Sequence, residues 1–144
     1  MANISNILEE ALLNYVFNGV AYSPPGNFYV ALFDNTTAEA DLEAGNITGD
    51  LATAEITGYT GNRKAATFTA ATQVGGKATI ENEGELEFED MPAVTVSYAA
   101  VVDTEDPAGG GEILYWLVPP GGAEAISEGN IARIPAGDIT IDLD

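Results

Sequence analysis

Apolar residues recur every three or four positions near the start of the chain. Ile4, Ile7, Leu8, Ala11, Leu12, Tyr15 and Val16 fall on one face of a helix. Asn3 or Ser5 can cap its start, and Glu9 and Glu10 lie near its positive end. Asn18-Gly19 supplies a C-terminal stop. A one-sided helix must lie against something. Completing the core of its own domain is the expected arrangement. Docking on a neighbouring subunit is the functional alternative, with Ile7 and Leu8 as its contacts.

After Ser23-Pro24-Pro25-Gly26 breaks the chain, the period changes from helical to extended. Phe28-Tyr29-Val30-Ala31-Leu32-Phe33 is a short apolar run that reads as a buried strand. Residues 34–50 have weak periodicity and read as a long surface loop. From residue 51 onward the pattern is β. Strands are expected at 63–69, 77–81, 85–89, 93–102, 112–118, 131–134 and 139–143. Thr72-Gln73-Val74-Gly75-Gly76 reads as a turn, and Asp106-Pro107-Ala108-Gly109-Gly110-Gly111 as a hairpin loop. The expected fold is mainly β: an antiparallel β-sandwich or jelly-roll-like body with one N-terminal α-helix. At 144 residues the chain suits one domain, with helix and linker in 1–22 and the sandwich in 23–144.

Composition narrows the chemistry. There is no histidine and no cysteine. Zinc, copper or iron sites built on those residues, Ser-His-Asp and Cys-His nucleophiles, and disulfides are therefore excluded. Four basic residues, Arg63, Lys64, Lys77 and Arg133, cannot track nucleic-acid phosphates or hold an anionic membrane. No run reaches the roughly 18 apolar residues that span a bilayer. The start, Met1-Ala2-Asn3-Ile4-Ser5, lacks the basic region of a secretory signal, so synthesis in the cytoplasm is expected. No cofactor is expected.

The formal charge of −19 changes the picture further. Self-repulsion at this level is costly in dilute buffer, and concentrated salt screens it. Many acids with almost no lysine fit a protein working in multimolar salt. Arg63-Lys64 is the only basic pair. It is expected to meet an acidic patch of its own fold or of another copy, and joins Ile7 and Leu8 as an interface candidate.

Glu85, Glu87 and Glu89 share one face of their strand, while Leu86 and Phe88 share the other. A solvated outer face explains this alternation. Residues about 7 Å apart along a strand diverge, so these glutamates fit diffuse cation association rather than a specific metal site. No aromatic platform marks a carboxylate pair for glycoside hydrolysis. Tyr115 and Trp116 sit among Leu114 and Leu117 and read as core. Asn3, Asn35 and Asn46 match the permissive glycosylation pattern, as expected by coincidence.

The order of segments adds a resemblance. Residues 8–17, LEEALLNYVF, precede Ala21-Tyr22-Ser23-Pro24-Pro25 and Tyr29-Val30-Ala31-Leu32-Phe33. Glu55-Ile56-Thr57-Gly58-Tyr59-Thr60-Gly61-Asn62-Arg63 follows, with Thr67-Phe68 after it. The chain ends on Ala136-Gly137-Asp138-Ile139-Thr140-Ile141-Asp142-Leu143-Asp144. This resembles a family of small virion proteins of tailed viruses, known as capsid decoration or tail fibre proteins. The stretch 70–130 departs from that pattern. The resemblance implies a non-enzymatic virion building block, with no catalytic residues. Together with the acidity it points to a halophilic host.

A capsid decoration protein is the leading expectation, and a tail, baseplate or fibre component the alternative. The expected partners are further copies of the chain, a trimer being favoured, and other virion proteins. A host-binding module, touching a receptor through 34–50 and Gly109-Gly110-Gly111, is a second class. A carbohydrate-active enzyme is the third and the least supported.

Overall fold

The computed structural model describes residues 3–143. Met1 and Ala2 of the opening segment and Asp144 of the closing motif lie outside the described residues. In chain order, β1 (Asn3–Ile4) leads into α1 (Asn6–Asn18), and β2 (Phe28–Asp34) into α2 (Glu39–Ala44) and α3 (Gly49–Ala54). Then come β3 (Lys64–Ala66), β4 (Thr72–Val74), β5 (Lys77–Glu81), β6 (Leu86–Phe88) and β7 (Val94–Val102). The last four strands are β8 (Ile113–Leu117), β9 (Glu124–Ile126), β10 (Ala132–Ile134) and β11 (Thr140–Leu143).

The main sheet runs β1-β8-β7-β2-β3, with β9 added along β7, and its pairings are antiparallel. Two smaller sheets, β10-β6 and β11-β5-β4, complete the set. The main sheet is covered on both faces. Val30, Leu32, Ala99, Val101, Tyr115 and Leu117 pack with Leu86 and Phe88 of β6, Ala132 of β10, and Ile139. On the other face, Ala31, Phe33, Ala100, Val102, Ile113 and Trp116 pack with Leu42, Ile47 and Leu51. This double coverage is why β2 reads as an unbroken apolar run, with residues 30–33 all buried. The mainly β, antiparallel sandwich expected from the pattern is therefore the observed fold.

Residues 34–50 differ from the expected loop. They contain α2 and the start of α3, which close over one face of the main sheet. Each helix has six residues, too few to show a helical period. Glu39 and Asp41 in the first turn of α2, and Asp50 in that of α3, complement the positive helix ends. Gly45 ends α2 at φ +89°, and a Cβ there would lie 2.9 Å from Ile7 Cδ1. Only a glycine lets α2 turn this close beneath α1.

Two smaller expectations also change, and one further strand is found. Ile4 leaves the helical face and pairs with Tyr115, because β1 covers the edge of β8. Thr72-Gln73-Val74 belongs to strand β4, and Gly75-Gly76 alone makes the hairpin turn. Residues 124–126, with no clear alternation, become β9 because β7 offers them a free edge.

Candidate functional site

The candidate site is the interface surface around α1. Ser5 sits fully buried between β1 and α1. Its backbone N–H donates to Leu114 O at 3.0 Å, and its hydroxyl oxygen accepts from the Leu8 N–H at 3.3 Å. This fixes the start of the helix to β8. Ile7, Leu8, Ala11 and Leu12 are half-buried against the body. Leu8 and Leu12 form one wall of an apolar groove of about 310 Å3, whose other walls include Phe28, Phe68, Ile141 and Leu143. Phe28 and Phe68 meet edge to face at 6.1 Å.

Beyond Leu12 the helix leaves the body. Leu13, Tyr15, Val16, Phe17 and Val20 are each more than half exposed, Phe17 at 76%. No residue of α1 is fully buried. The expectation that this helix completes its own core therefore holds only for its first half. The outward face changes character along its length, from Asn6, Glu9 and Glu10 to Leu13, Val16 and Phe17. With Leu12 and Tyr15 on the other side, the distal half is apolar nearly all round. A helix of that kind is normally buried.

The basic pair divides. Arg63 is buried at 2% exposure, inside its own chain. Its guanidinium meets the Glu55 carboxylate through Nε and Nη2, both at 2.7 Å. Its Nη1 donates to Thr104 O at 2.8 Å and Gly110 O at 2.7 Å. Of the two outcomes open to Arg63, an acid of its own fold is the one observed. Its charge pins the hairpin after β7 and is not available at the surface. Lys64 lies beside it, half-buried. Its ammonium donates to Thr60 O at 2.8 Å and stands 5.5 Å from the centre of the Tyr59 ring.

The two segments expected to meet a receptor are tied to each other. Ile47 N–H donates to Gly111 O at 3.0 Å, and Ile113 N–H to Gly45 O at 2.7 Å. Asp103 Oδ1 accepts from Glu112 N–H and from the Thr104 hydroxyl, both at 2.8 Å. Gly109-Gly110-Gly111 is therefore an anchored turn.

Glu85, Glu87 and Glu89 flank the buried Leu86 and Phe88, as their alternation predicts. Glu87 accepts from Arg133 Nε of β10 at 2.7 Å, and Glu85 lies 3.8 Å from the same nitrogen. The Arg133 hydrogen bond and charge hold the Glu87 carboxyl below its ordinary range. Among the described residues no group of three or more acids converges as a metal site. Trp116 and Tyr115 are core, as read from their neighbours. The Tyr115 hydroxyl donates to Thr140 O at 2.7 Å, and burial pushes its pKa up to about 12. No helix among the described residues is long and apolar enough to cross a membrane.

The surface around α1 offers apolar contact. Leu13, Phe17 and Val20 were not singled out by the helical stripe. The signal that finds them is electrostatic. From Ala11 to Phe33 the sequence holds 23 consecutive residues without a charge. The rest of the chain is densely acidic.

Comparison with curated proteins finds no match. A protein-family model described as Podophage GP4 fiber I protein gp80 matches residues 3–142. That match takes in the opening helix, the sandwich and nearly all of the closing motif, and it agrees with the resemblance to tailed-virus structural proteins. The chain belongs to this podophage fibre-protein family.

Proposed function

We propose that the protein is a non-catalytic fibre component of a tailed virus, incorporated in the particle. The family match over residues 3–142 carries this reading. It supports the fibre alternative over the capsid decoration that led the expectations from sequence. The structure is compatible with such a role. A sheet covered on both faces gives a rigid body, and a helix fixed at one end projects from it. Attachment to the particle is through apolar and backbone contacts, because charge pairing is weak for so acidic a surface in concentrated salt. The homo-oligomeric state, with threefold symmetry favoured, and the halophilic host are part of the same proposal.

Quantitative mass spectrometry of purified particles, normalised to the major capsid protein, tests it. A fibre component is present at a few to a few dozen copies per particle. Hundreds of copies return the reading to capsid decoration. Absence from the particle overturns both.

A further inference from the structure

We propose that the distal half of α1, centred on Leu13, Val16 and Phe17, is the surface through which copies of this chain associate. It rests on the homo-oligomeric state proposed above, and it holds wherever the protein sits in the particle.

Three observations carry it. The first is the pattern. Leu13, Val16 and Phe17 follow the spacing i, i+3, i+4 of a helix-packing stripe, and all are more than half exposed. Their stripe lies opposite the Ile7-Leu8-Ala11 side that already rests on the body. The second is area. These three side chains present on the order of 300 Å2 of apolar surface, within the range of the largest patch a monomer carries, which is often a functional one.

The third observation is charge, and it selects the occupant. Each copy carries −19, so contact between copies over most of the surface sets carboxylate against carboxylate. Residues 11–33 hold no charge, so here two copies can meet without that repulsion. A foreign partner shaped to this acidic chain gains most by facing its carboxylates with cations. The distal helix gives such a partner nothing to pair with. An uncharged apolar stripe is complementary to itself.

Sedimentation velocity on the full chain, at about 100 µM and in both about 0.1 M and about 2 M KCl, reads the association directly. The wild type is expected to sediment as a discrete oligomer, more strongly associated in high salt. The variant Val16→Glu/Phe17→Glu is expected to weaken association by at least about tenfold. Val74→Glu adds charge at another exposed apolar residue, on β4, and is expected to leave association unchanged. Trp116 fluorescence and near-ultraviolet circular dichroism report whether each variant keeps its core. If the double glutamate variant loses its fold, Phe17→Ser replaces it, with the same direction expected. A monomeric wild type in both salts overturns the proposal. So does an oligomer that survives a folded distal-helix variant, or one that Val74→Glu disrupts equally.

Discussion

Arg63 shows how one residue type acquires its role from burial. A guanidinium at a surface would contribute little, since exposed ion pairs are worth about 0–1 kcal/mol. Here both side chains of the Arg63–Glu55 pair are shut from solvent, and the remaining donors reach Thr104 O and Gly110 O. Removing Arg63 leaves Glu55 and two carbonyls unpartnered. Arg63→Ala is expected to cost about 3–5 kcal/mol in urea unfolding. The double variant Glu55→Gln/Arg63→Met, which removes both charges, is expected to cost less than Arg63→Ala alone. Equal losses would mean that the pair's charge is not what matters. Tyrosine supplies a pH dependence. Burial pushes the pKa of Tyr59 and Tyr115 up to about 12, from an ordinary value of 10.0. The folded state thus holds these protons more tightly than the unfolded state. Their stabilising contribution is complete below pH 10 and is lost as pH rises through 12. Melting temperature is expected to fall across that window, with a shallower fall in Tyr115→Phe.

At the scale of elements, the segment between β2 and β3 decides how the sheet is closed. α2 and α3 are too short to persist alone, and packing keeps them helical. Leu42 is fully buried among Phe33, Ala100, Ile113 and Trp116. Leu42→Ala is expected to destabilise the protein by about 2–5 kcal/mol, as for other core leucines. A change below about 0.5 kcal/mol, the usual surface value, would mean that residues 34–50 behave as a loop after all. The same segment supports α1, since Gly45 lies directly against Ile7. Support for the body-facing half of α1 thus comes from two places, the β1–β8 pairing and the end of α2.

For the whole molecule, charge sets the conditions of stability. Twenty-three acidic residues face four basic ones, and the buried Arg63 is not among the cations left for the surface. Repulsion between carboxylates is screened over about 3 Å at 1 M salt, against about 10 Å at 0.1 M. The isolated protein is expected to melt at a higher temperature in about 2 M KCl than in about 0.1 M. An unchanged or lower melting temperature would sink the halophilic reading while leaving the fibre reading intact. The same screening is expected to favour both the folded body and the proposed association of copies through the distal helix.

Several features were legible from the residues alone because they rest on local physics. Side-chain period marked α1 and most strands. Ser5 and Gly19 bound the helix through capping geometry that depends on a few neighbouring atoms. The missing histidines and cysteines limited the chemistry before any fold was known. The opening and closing motifs pointed to the family. Tertiary structure alone decided the rest. Residues 39–44 and 49–54 become helical only because the sheet beneath them needs a cover. Ile4 becomes a strand residue only because the edge of β8 is open. Arg63 finds Glu55 eight residues away, but the carbonyls it also holds are 41 and 47 residues away, a contact no local pattern encodes. An apolar stripe states that a helix wants to be covered. Only the position of the body shows that the first half of α1 is covered and the second half is not.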